Sequence, residues 1–218
     1  MVKLDKVSFS YGKTNILNNL SLTAENGKCL VIAGPNGSGK STLLSIIAGA
    51  RKASSGKAEI SDKIGYVPQG ISLFEDLSVK ENIRFFASVS KTKFIDLNLL
   101  PFNLTPIANK KISKLSIGMK KRVSIVCALV SDPSVIILDE PCAALDILYR
   151  DELLELINKL KSNGKTIIYV GHDFNEISRI YDTLLLIKNG NTVFYKTKDE
   201  LPSSSDELEE YVRKALIS

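Results

Sequence analysis

The chain has 218 residues, 44% hydrophobic and 24% charged, a balance that fits one globular domain able to bury a proper core. No apolar run approaches the roughly 18 residues of a membrane span, and the opening MVKLDKVSFS lacks the apolar centre of a secretory signal, so a cytosolic protein is expected. The net charge of +5 is mildly basic, but there is no Trp, no arginine-rich run and no interleaving of aromatics with cations, so nucleic acid is not an expected partner.

In chain order, VKLDKVSFSY, LNNLSLTA and KAEI read as short strands broken by turns such as Glu25-Asn26-Gly27-Lys28. Tyr11, at the end of the first, offers an aromatic face on which a base could stack. CLVIAG, 29–34, is a continuous apolar strand of the buried parallel kind. It runs into Gly34-Pro35-Asn36-Gly37-Ser38-Gly39-Lys40-Ser41-Thr42, a match to G-x-x-x-x-G-K-[ST], and then into the helical pattern TLLSIIAGA. Glycines let the backbone wrap a phosphate chain closely, and the loop amides together with the helix N-terminus bind its charge. Lys40 is expected to reach the β- and γ-phosphates and Ser41 a Mg²⁺ ion. Gln69, in GYVPQ, ends another strand-like run, and the stretch 77–115 reads as mixed and helical.

KLSIGMKKR, 114–122, looks like a Ser-capped helix start, yet its first turn carries cations where the macrodipole favours anions. A nucleotide lying against this surface would give those cations something to face. A helix is expected over 119–130 and a strand over 135–138, ending in the carboxylates Asp139 and Glu140. Neighbours on a strand point to opposite faces, which predicts two separate jobs. Asp139 would help hold Mg²⁺ through water, and Glu140 would orient or deprotonate an attacking water. A helix over 148–161 and a strand over 166–170 follow, and just past that strand stands His172, the only histidine, aimed at the same crest. A short helix, a strand over 183–188, a turn at Asn189-Gly190-Asn191 and a terminal helix in SSSDELEEYVRKAL complete the chain. Apolar strands alternating with amphipathic helices predict an α/β domain with a largely parallel sheet. The cysteines Cys29, Cys127 and Cys142 are odd in number and scattered, as buried thiols of a reduced compartment are.

The set SYG, GPNGSGKST, YVPQ, LSIGMKKR, VIILDEP, AALD and GHD, in this order, resembles the ATP-binding-cassette (ABC) ATPases over nearly the whole chain. The resemblance implies a P-loop fold with a mainly parallel core sheet and an N-terminal antiparallel β-subdomain, all within one domain, 1–218. Its core would be 1–75 and 132–218, with a compact α-helical subdomain over 76–131. It also implies that Tyr11 stacks on adenine, Gln69 touches Mg²⁺ and faces a transmembrane partner, Glu140 is the catalytic base and His172 its switch. Ser116, Gly118 and Met119 become the signature that completes a second subunit's ATP site, and Asp146 in AALD the residue that meets that subunit.

Two departures stand out: Ile117 replaces the first glycine of the usual L-S-G-G-Q, and Cys142 stands where Thr or Ser is common. Signatures of the L-S-x-G-M-K-Q-R type resemble those of ABC exporters. The expected protein is therefore an ATP- and Mg²⁺-dependent ATPase that dimerises and drives a separate permease at the cytoplasmic face of a membrane. Cassettes of cell division or lipoprotein release are the alternative. Cassettes of translation or DNA repair fit less well, because they usually carry two copies or long insertions.

Overall fold

The computed structural model describes residues 1–60, 63–92 and 96–217. Its strands are β1 (Val2–Tyr11), β2 (Thr14–Ala24), β3 (Cys29–Ala33), β4 (Ser55–Ile60), β5 (Ile64–Val67), β6 (Val135–Asp139), β7 (Thr166–Val170), β8 (Thr183–Lys188) and β9 (Asn191–Thr197). Its α-helices are α1 (Lys40–Ile47), α2 (Val79–Val89), α3 (Ile117–Leu129), α4 (Ile147–Ser162), α5 (Phe174–Ile180) and α6 (Ser205–Ile217). An antiparallel sheet of order β2-β1-β4 stands beside a six-stranded sheet of order β5-β6-β7-β3-β8-β9. The larger sheet is parallel except for β9, which pairs antiparallel with β8. This is the P-loop α/β fold with an antiparallel β-layer.

The central strands β3, β6 and β7 are buried at every position because both of their faces are covered, and the strand period of two divides their apolar residues between two cores. Val31, Ile136, Leu138, Ile167, Leu184 and Leu186 pack toward α2 to α6. Leu30, Ile32, Ile137, Ile168, Leu185 and Ile187 pack against α1 and the smaller sheet. Each fully buried aliphatic side chain contributes about 1.5–3 kcal/mol of transfer free energy, so the sheet is a stiff base for the loops at its carboxyl edge.

Two stretches differ from expectation. Between 77 and 115 the only α-helix among the described residues is α2, followed by three short 3₁₀ turns at 97–99, 105–107 and 112–114, and residues 93–95 lie outside the described residues. Pro101 and Pro106 cannot continue a helix, and Phe102 and Asn103 between them have positive φ. The turn at Asn189-Gly190 leads into the further strand β9: φ values of 49° and 75° make a two-residue loop whose twist suits a hairpin, and Lys188 pairs with Asn191.

Candidate functional site

The parallel strands bring three loops to one edge of the sheet: the P-loop after β3, the turn after β6 and the turn after β7. Gly39 caps α1 at φ 104°, and a Cβ there would come within 2.6 Å of the Leu17 side chain. Only glycine fits that approach, which lets Lys40 begin the helix with no side-chain cap on the first amides. The Lys40 ammonium donates to the carbonyls of Gly34 at 2.7 Å and Pro35 at 3.0 Å. Burial pulls its pKa down, while Glu140 and Asp139 draw it back up. Ser38 Oγ is buried without a hydrogen-bond partner, an orphaned polar atom inside a loop whose uncapped helix start favours an anion.

A cleft of about 300 Å³ is lined by Asn36, Gly37, Gly39, Lys40, Ser41 and Thr42 of the loop, together with Ile16, Gln69, Asp139 and Glu140. The Ser41 hydroxyl, the Gln69 carboxamide and the Asp139 carboxylate are hard oxygen donors in one cleft, a set that fits Mg²⁺ shared with substrate phosphates and water. Asp139 is buried, and both burial and Glu140 raise its pKa, opposed by Lys121, Lys40 and His172.

Glu140 does not follow strand alternation. β6 stops at Asp139, and Glu140 turns into the left-handed region at φ 47° while its N–H donates to the Val170 carbonyl at 2.9 Å. Such a conformation costs a non-glycine residue about 1–3 kcal/mol. The turn brings both carboxylates to the same cleft rather than to opposite faces. Each oxygen of Glu140 has a partner. Gln69 Nε2 donates to Oε2 at 2.8 Å, and His172 Nε2 lies 2.8 Å from Oε1, where it donates to an ionised carboxylate. Behind His172, the buried Tyr169 hydroxyl donates to Glu176 at 2.7 Å, and Arg150 Nε lies 3.2 Å from the same carboxylate.

The other sequence candidates do not line this cleft. Tyr11 is 46% exposed at the end of β1, edge-on to Phe9 at 4.9 Å with the Arg51 guanidinium 5.0 Å above its ring. Ser116 caps α3 by accepting from the Met119 N–H at 3.2 Å, which places Ile117, Gly118 and Met119 in the first turn. A Cβ on Gly118 would lie 2.7 Å from the Ala144 carbonyl, so the signature sits directly against the loop that leads to Asp146. Asp146 in turn caps α4 through the Tyr149 N–H at 3.2 Å. Ile117, Ile147 and Leu148 are 67%, 75% and 79% exposed.

The cations of KLSIGMKKR meet neighbours within the chain rather than waiting for a nucleotide. Lys120 pairs with Glu75 at 2.6 Å, Lys121 donates to two main-chain carbonyls, and the Arg122 guanidinium lies 3.5 Å over the Tyr149 ring. Sequence reasoning missed the structural parts played by Ile16, Arg51, Lys121 and the Tyr169–Glu176 pair. Their partners are distant in sequence or spaced unlike any motif.

Comparison with known proteins agrees with this geometry. The family described as ABC transporter matches residues 17–143. A lantibiotic transport ATP-binding protein of Streptococcus pyogenes is 31% identical over 229 residues, all of this chain and 98% of its own length. A linearmycin resistance ATP-binding protein of Bacillus subtilis is 32% identical over 93% of this chain and 71% of its own length. ATP-binding proteins named for import are similar as well. Among solved structures, a dimeric ATP-binding cassette in a post-hydrolysis state with ADP and phosphate superposes with a TM-score of 0.80. It is 29% identical and covers 90% of this chain and 98% of its own.

Proposed function

This chain belongs to the ABC transporter family as an ATP-binding ATPase, and from that premise we propose that it powers export through a separate membrane permease. The observation that carries the hydrolytic part is Glu140, held between Gln69 and His172 across the cleft from Lys40. Lys40 and the amides of Gly34 to Thr42 hold the phosphates, and Tyr11 supports the adenine. Glu140 orients or deprotonates the water that attacks the γ-phosphorus. The bond from that phosphorus to the β,γ-bridging oxygen then breaks, giving ADP and phosphate. His172 keeps the carboxylate in place as the charge develops. Ser41, Gln69 and Asp139 would hold Mg²⁺, which when bound would neutralise phosphate charge.

Two subunits, identical or closely related, sandwich ATP head to tail, each lending Ser116, Gly118 and Met119 to its partner's nucleotide and meeting it at Asp146. The exposed Ile117, Ile147 and Leu148 on that side support such a face. No helix among the described residues is long and apolar enough to cross a membrane; in this proposal a separate permease provides the membrane path and this chain sits at its cytoplasmic face. The export direction draws support from the Leu115-Ser116-Ile117-Gly118-Met119 signature and from relatives named for lantibiotic transport and linearmycin resistance.

The test is tagged Glu140→Gln chain recovered from detergent-solubilised membranes with Mg-ATP. A dimer on size exclusion that disperses without ATP, together with a co-purifying multi-span membrane protein, is expected. A monomer at saturating ATP overturns the sandwich. Recovery of ribosomes or DNA in place of a membrane protein overturns the transport role.

A further inference from the structure

Lys121 is a lysine without access to solvent, in the middle of a motif read for its serine and glycine. It is 2% exposed, and its ammonium donates to the carbonyls of Pro68 at 2.9 Å and Gln69 at 2.8 Å, residues 53 and 52 positions away. Those carbonyls flank the peptide that carries Gln69. The loop from Pro68 to Leu77 has neither helix nor strand to hold it, so these two bonds are its anchor at the end nearest the cleft. From that anchored backbone the Gln69 side chain reaches Glu140 at 2.8 Å. A direct role for Lys121 on a phosphate is excluded by its burial, since no ligand on the surface of α3 can touch it.

We propose that Lys121 is a positioning residue for hydrolysis: it fixes the Gln69 backbone so that the Gln69 side chain holds Glu140 in the cleft. The assignment rests on the catalytic role given to Glu140 above. Burial pulls the pKa of Lys121 down, while Asp139 and Glu140 draw it back up. The helix that carries Lys121 also begins with Ile117 and Gly118, one turn earlier. A stiff helix turn therefore joins the signature to the loop that steadies this chain's own base. Displacing the start of α3, as a nucleotide on a partner subunit would, pulls on Pro68 and Gln69. One ATP site can thus bias the chemistry of the other without touching it.

The experiment uses the full chain with Lys121→Met, which keeps the stem but removes the donors, and Lys121→Gln, which keeps an amide donor. With Lys121→Met, KM for Mg-ATP is expected to stay within about twofold while kcat falls roughly tenfold to a hundredfold, the scale of a misplaced catalytic group. Lys121→Gln recovers part of kcat. Backbone ¹⁵N order parameters from Gln69 to Ile71 fall in both variants, while those of the P-loop keep their wild-type values.

Wild-type kcat in Lys121→Met overturns the proposal, and so does a parallel loss of kcat and nucleotide binding that Lys121→Gln does not repair. Should Lys121→Met fail to fold, the order parameters in Lys121→Gln decide: wild-type values from Gln69 to Ile71 overturn it. The sandwich reading fails separately. If Glu140→Gln stays monomeric with ATP while the Lys121 variants behave as expected, the positioning role stands and only the link between two sites falls.

Discussion

Gly118 shows how closely the two halves of the surface motif are fitted. Its missing side chain leaves room for the Ala144 carbonyl, which a Cβ would approach to 2.7 Å. Backbone cannot swing away as a flexible side chain can, so Gly118→Ala forces the start of α3 and the loop before Asp146 apart. Overpacking of this kind costs about 1–3 kcal/mol, and the better helix propensity of alanine offsets under 1 kcal/mol of it. We expect a lower urea midpoint with an unchanged m-value, and a weaker ATP-trapped dimer in the Glu140→Gln background. Ile117, one position earlier, is 67% exposed and touches no such constraint. Within a single chain the usual glycine is therefore replaced there without steric conflict.

Elements were legible in the sequence where one run of residues carries the whole instruction. β3, the P-loop and α1 are contiguous, and the apolar strand, the glycine spacing and the helical pattern announce each other. α3 was legible with its Ser116 cap, and β6 and β7 by their unbroken apolar runs. Glu140 was legible as a residue but not in direction, because its left-handed turn depends on the Val170 carbonyl of a neighbouring strand. Lys121 was illegible for the same reason: burial and both of its partners are products of packing, and the charge alone read as facing a nucleotide. The stretch 77–115, read as mixed and helical, holds less α-helix than that because Pro101 and Pro106 interrupt it.

In that stretch α2 stands on a local device. Ser78 accepts from the Glu81 N–H at 3.3 Å, and Glu81 accepts from the Ser78 N–H at 2.7 Å. Ser78→Ala should cost about 1 kcal/mol, seen as a melting temperature lower by about 2–4 °C. The bonds from Ser78 hold the Glu81 carboxyl below its ordinary value of 4.5. A depressed carboxyl stabilises the fold above the unfolded value and stops doing so as pH falls through the folded one. The gap between wild type and variant should therefore narrow in acid below that value, which melting curves at several pH values will show.

At the scale of the whole molecule, the core packed under α2 to α6 encloses every thiol. Cys29, Cys127 and Cys142 are 0%, 5% and 3% exposed, and burial pushes the Cys127 and Cys142 thiols up to about 12. At neutral pH a maleimide should leave the native chain unmodified over minutes and add three labels in denaturant, as intact-mass measurement will report. Early native labelling of Cys142 would mean that the loop before Asp146 opens independently of the core. The distribution of one other residue type has a different consequence. The chain contains a single histidine, and that residue is in contact with Glu140. Its imidazole therefore supplies a magnetic-resonance signal with no competing histidine in the chain, an intrinsic reporter at the Glu140 carboxylate. Nucleotide binding can be followed through that one resonance without attaching a label.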